Sequence, residues 1–97
     1  MDLPDPDATA PPPDLTPPRQ ALWWLAKGGW RVGADWARAH DICQSAEGAR
    51  DHDLVHGLAH LIEGDLGNAA YWYRRAGLAR GSDDPRAEWH RLAALIG

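Results

Sequence analysis

Cysteine is nearly missing from this chain: Cys43 stands alone among 97 residues. No intrachain disulfide and no cysteine-based zinc knuckle can brace the fold. Strand signals are equally sparse, with no sustained apolar–polar alternation, few β-branched residues and no Asn-Gly or Asp-Gly hairpin turn. The longest apolar run, Ala21 to Ala26, is far too short to span a bilayer, and the acidic start lacks the basic and apolar regions of a signal peptide. No membrane role is expected, and the expected location is cytoplasmic. Basic residues are absent from the first eighteen positions, so the formal charge of -4 comes entirely from that leader. The neutral remainder offers no electrostatic footprint for nucleic acid. Also missing are a Ser-His-Asp arrangement, a P-loop and a Gly-rich phosphate signature.

What is present divides at residue 18. MDLPDPDATAPPPDLTPP holds seven of the eight prolines and four acids. Such a stretch cannot form helix or bury much surface, so residues 1–18 are expected to be a disordered, acidic, Pro-rich leader. Residues 19–97 form one small domain. A domain of that length buries only about 60% of its extended-chain surface. Six tryptophans offset part of this shortfall, since each can remove roughly 150–250 Å² from water.

The fold class follows as all-α, with four or five short helices packed as antiparallel hairpins. The first helix opens after Thr16, with Pro17 and Pro18 in its first turn, and stops at Gly28-Gly29. The second starts near Asp35, a plausible N-cap, and lines up Trp36, Ala39, His40 and Cys43 on one face. The third covers Asp51 to Ile62, with Leu54, Val55, Leu58, Leu61 and Ile62 on an apolar side and His52, His56, His60 and Glu63 almost opposite. Asp65 caps a fourth, to about Ala79, which buries Ala69, Trp72, Tyr73 and Ala76 while Tyr71, Arg74 and Arg75 look outward. Ser82-Asp83-Asp84-Pro85 starts the last helix, bearing Trp89, Leu92, Ala93 and Ile96.

The chemistry concentrates on the third helix. His56, His60 and Glu63 stand at i, i+4 and i+7 and project together, and His40 can join them from the preceding helix. No cofactor is required by the sequence, but two imidazoles and a carboxylate would suit zinc or iron. The zincin pattern H-E-x-x-H fails, because Gly57 stands where the catalytic glutamate belongs. The competing expectation is that His56 and His60 are hydrogen-bonded in a helix interface or solvated, with Glu63 serving the turn before Asp65. His52 and His90 read as surface residues. Tyr71-Trp72-Tyr73 with Arg74 and Arg75 has the composition of a stacking strip. Helical phase instead sends Trp72 and Tyr73 inward, leaving Tyr71, Arg74 and Arg75 as a partner surface. Cys43, core-facing and without a neighbouring base, reads as a buried small residue.

Gly64-Asp65-x-x-x-Ala69, followed by Tyr73 and Ala76, resembles the second half of a tetratricopeptide-type hairpin, where small residues let two helices approach. More closely, Ala39-His40-x-x-x-Gln44, Val55-His56 and His60-x-x-Glu63-Gly64-Asp65-x-x-Asn68-Ala69-x-Tyr71-Trp72-Tyr73-x-Arg75-Ala76-Gly77 is similar to a family of small helical proteins without an assigned activity. That pattern has Ala and Arg where this chain has Gly57 and Leu61. The resemblance implies a compact helical unit and no catalytic residues. The expected function is a small interaction or scaffold module that pairs with another protein or with itself, because six indoles are hard to bury in so few residues. The competing class is a metal-binding or histidine-dependent enzyme built on His40, His56, His60 and Glu63.

Overall fold

The computed structural model describes all 97 residues and contains five α-helices and no strand: α1 Pro17–Lys27, α2 Ala34–Gln44, α3 Arg50–Ile62, α4 Leu66–Ala76 and α5 Pro85–Leu95. No helix is long and apolar enough to cross a membrane. Local chemistry explains most of the ends. Pro17 and Pro18 supply the preset φ of a first turn for α1. The Asp65 carboxylate accepts from the Asn68 amide at 3.1 Å and so caps α4. Asp84 does the same for Arg86 at 3.2 Å, with Pro85 behind it.

Three boundaries differ from the sequence reading. α3 starts at Arg50, one residue before Asp51. The cap of α2 is Gly33, two residues before Asp35, which lies inside the first turn, where its charge still favours the helix N-terminus. α4 stops at Ala76, three residues short of the expected end, because Gly77 takes a left-handed φ of 76° and closes the last turn.

α3 is the axis of the fold. It packs against each of the other four helices, and every residue from Asp53 to Leu61 is buried. The core joins Leu22 and Leu25 of α1, Leu54, Val55 and Leu58 of α3, Ala69 and Tyr73 of α4, and Trp89 and Leu92 of α5. Trp89 is fully buried and donates its indole N–H to the Leu22 carbonyl at 2.7 Å, which satisfies its one polar atom while linking α5 to α1.

The α3–α4 contact is the most extensive in the molecule, and Gly57 permits a close approach there. A Cβ built on Gly57 would lie 2.6 Å from the Tyr73 ring and 3.3 Å from the Ala69 carbonyl oxygen. The ring cannot step aside, because Tyr73 Oη donates to the buried Glu88 carboxylate at 2.7 Å. Burial alone would raise the pKa of Glu88. The Arg91 guanidinium, the Tyr73 hydroxyl and the Gly81 amide outweigh it and hold the carboxyl below its usual range. Burial, with the Glu88 carboxylate behind it, pushes the Tyr73 phenol far up.

The leader corrects the expectation of disorder. Prolines keep residues 1–16 out of helix, but they do not stop an extended segment from lying along α1. Met1 packs on the core, Lys27 donates to the Pro6 carbonyl, and short turns close from Asp5 to Ala8 and from Pro12 to Leu15. At the other terminus Arg19 donates to the Ile96 carbonyl at 2.7 Å.

Gly57→Ala is expected to lower stability by about 1 kcal/mol, since overpacking of about 1–3 kcal/mol exceeds the gain of about 0.8–1 kcal/mol in helix propensity. Thermal unfolding checks this, and a midpoint at or above wild type contradicts it. Glu88→Gln is expected to cost about 1.5–3 kcal/mol at pH 7, the range for a hydrogen bond to a charged group. Because the folded carboxyl titrates below its unfolded value, that contribution is complete above about pH 4.5 and is lost on acidification. Urea unfolding at pH 7 and pH 3 should show the two proteins converging in acid.

Candidate metal centre

The histidine stripe of α3 is under cover. His56 and His60 are buried, because the side of α3 opposite its leucines is roofed by α2 and α4. Of the two expected placements, solvated or hydrogen-bonded in a helix interface, the structure has the second; His52 is half-buried and His90 is exposed. The cause lies in the helix count. On a helix packed by four neighbours, a polar face has no solvent to meet.

α2 brings His40 across to this face. Trp36, one turn earlier, donates its indole N–H to the Ala59 carbonyl of α3 at 2.8 Å and stacks on His40 at 4.9 Å with planes 10° apart. His40 Nε2 stands 3.1 Å from His56 Nε2. On the far side His56 stacks on Trp72 of α4, centroid to centroid 3.9 Å. His60 completes the group: its ring lies 4.9 Å from that of His56 and 5.3 Å from that of His40. One potential ligand nitrogen from each of His40, His56 and His60 lies within 4.8 Å of the others.

Glu63 takes a different place from the one its spacing suggested. Its carboxylate contacts His60 Nδ1, one turn back along the helix, and converges with His60 and Asp65. A carboxylate accepts, so Nδ1 carries the proton, and the nitrogen left to face a metal is Nε2. This is the arrangement in which an acidic partner fixes a ligand histidine's tautomer and ring orientation. Asp65 is engaged in capping α4, with Asn68 Nδ2 donating to it at 3.1 Å.

Burial, and next the neighbouring His40 and His60, press the pKa of His56 down to about 3, with Arg75 adding to the effect. His40 is lowered by burial first and by His60 second, against Asp41, Glu63 and Glu47. Neither imidazole carries charge at neutral pH, and neutral nitrogen is the form that binds a metal. The interior is incompletely satisfied: His56 Nδ1 is buried without a hydrogen-bond partner. Such an atom costs about 1–3 kcal/mol, which a leucine of similar size would avoid.

Two nitrogens bound about 2.0–2.1 Å from one tetrahedral zinc stand about 3.3 Å apart. The His40–His56 separation of 3.1 Å already approaches this. The group lies within 4.8 Å, which leaves at most about 1.5 Å to close, within reach of side-chain rotation. Surface hollows lie along the leader, beside the C-terminal end of α4 and near the chain end, and none is lined by His40, His56 or His60. The centre has no adjoining substrate cavity.

The outward face of α4 is less open than expected. Tyr71 is exposed, but Arg75 donates to its hydroxyl at 3.3 Å, lies over the Trp72 ring at 5.0 Å and approaches Asp53 at 3.9 Å. Arg74 is exposed at the helix end. Cys43 is buried, and burial together with the Asp53 charge raises its thiol pKa far above normal, as befits an inert side chain. Trp72 escaped notice as the floor of the centre; the signal was its phase on α4, which marked it as buried without saying against what.

His56→Leu is expected to stabilise the metal-free protein by about 1 kcal/mol, the unpartnered nitrogen outweighing the lost contact to half-buried His40. Urea unfolding in chelator checks this, and a loss of stability contradicts it. No family model matches the chain, and neither the curated proteins nor the solved structures contain a match.

Proposed function

We propose that this protein is a small metal-binding module that holds one transition-metal ion through Nε2 of His40, His56 and His60, with Glu63 positioning His60 through Nδ1. The observation that carries this reading is the convergence of three imidazoles from two helices, a buried pair among them, on one point. Three imidazole nitrogens suit zinc first, with iron and copper as chemical neighbours.

The absence of a lining cavity favours binding over catalysis. A metalloenzyme keeps an open position facing a pocket that holds substrate. Nothing around these histidines offers one, and the residue that serves as base in a zincin is here Gly57, the packing point for Tyr73. The α3–α4 hairpin, tetratricopeptide-like in its Gly64-Asp65 turn and small-residue packing, then acts as the rigid half of the site.

A role in protein partnership retains narrower support. Three of the six indoles are buried and three half-buried within the chain, which leaves less aromatic surface to support self-association. Tyr71 and Arg74 remain as the surface on which a partner would rest.

Zinc is expected to bind at one ion per chain, measured by elemental analysis of the dialysed protein, and to be lost in a His56→Ala, His60→Ala double variant. At a hundredfold excess over Kd it should add about 2.7 kcal/mol of stability, a rise of about 10–20 °C in midpoint for a domain of this size. Glu63→Gln should weaken zinc affinity by about 10–100-fold while preserving the stoichiometry. Absence of stoichiometric metal in the wild type refutes the reading.

A further inference from the structure

The three histidines are divided unequally: His56 and His60 belong to α3, whereas His40 is the sole contribution of α2. A metal held by all three therefore ties two helices together. α3 needs no such tie, being buried along its length by four neighbours. α2 does.

α2 leaves most of its residues exposed or half-buried, although it packs on both α1 and α3. It buries only Ala39 and Cys43, the fewest of the five. Gly33 gives it no side-chain cap. Its own ion pair, Arg38 with Asp35, is internal, and no ion pair joins it to another element. Beside the apolar packing of Ala39, Cys43, Trp36 and Ile42, the directed contacts that cross from it include the Trp36 indole on the Ala59 carbonyl at 2.8 Å, the His40–His56 contact at 3.1 Å and the Arg38 guanidinium 4.8 Å over the Trp24 ring. Neutral hydrogen bonds of this kind contribute about 0.5–1.5 kcal/mol each.

The connections at both ends suit movement. Before α2 the chain passes Gly28, Gly29 with φ 70° and Gly33; after it comes Ser45 to Ala49, turning at Gly48 with φ 95°. Segments with few buried apolar contacts and exposed flanks open at lower free energy than the core they cover. Here the opening removes one of three ligands from the centre. A ligand that binds the closed state better than the open one shifts the balance toward closure by that difference in affinity.

We infer that metal occupancy governs the docking of α2, so that the chain closes α2 onto α3 when the ion is bound and releases it when the ion is lost. This rests on the metal-binding reading above and adds to it a response: the centre senses the ion. Cys43 supplies a built-in reporter, because the only thiol of the chain sits on α2, fully buried, and is not among the converging ligand groups.

The test is hydrogen exchange of the full chain with and without one equivalent of zinc, run beside native mass spectrometry to count bound metal. α2 amides are expected to exchange at least about tenfold faster without zinc, while α4 and α5 amides change less than about twofold. Iodoacetamide labelling of Cys43 should slow on zinc addition by a similar factor. In His40→Ala, whose side chain is only half-buried, zinc should leave α2 exchange unchanged. One zinc per chain with α2 responding no more than α4 and α5 overturns the inference and leaves the metal-binding reading intact. Persistence of the α2 response in His40→Ala overturns it likewise. No bound zinc in the wild type overturns both.

Discussion

The enclosure of α3 by four other helices is the constraint on which the rest of this structure depends. A helix in that position has no face left for water, so each of its residues must be accommodated by a neighbour. Its leucines are accommodated by α1 and α5. Gly57 is accommodated by the Tyr73 ring, which the Glu88–Arg91 pair in turn holds still. His56 receives no such complete accommodation, since its buried Nδ1 has no partner. Local rules broken at a buried position, with a cost in stability, are what a functional site leaves behind.

The same enclosure explains how so small a chain holds together without a disulfide. Tryptophan does much of the joining, and it does so with both ends of the side chain. Trp89 fills the core between α1 and α5 while its N–H reaches a helix carbonyl; Trp36 repeats the device between α2 and α3. Each of these two indoles contributes area and one directed bond. Around the histidines the two functions merge, because Trp36 and Trp72 set the planes in which His40 and His56 lie.

Much of this was legible in the sequence, and the part that was not has a physical cause. Helix starts at Pro17, Asp65 and Pro85, and the burial of Trp72 and Tyr73, follow from capping chemistry and helical phase. Phase also placed Trp36 and His40 on one face of α2. It could not say that the polar side of α3 would be roofed, because burial there depends on how α2 and α4 return, which is a tertiary matter. Glu63 was read as a fellow ligand from its spacing; only the geometry places it on His60 Nδ1. The leader misled for a related reason. Its prolines exclude helix, but whether an extended segment lies against α1 depends on the surface that α1 presents.

The central claim is that three particular ring nitrogens share one ion, and nitrogen-15 spectroscopy of the histidine side chains during zinc addition tests it most directly. The account predicts that at one equivalent Nε2 of His40, His56 and His60 moves to the metal-bound range, that His60 Nδ1 stays protonated, and that His52 and His90 are unaffected. Unchanged resonances for the three, or shifts confined to His52 and His90, would contradict it.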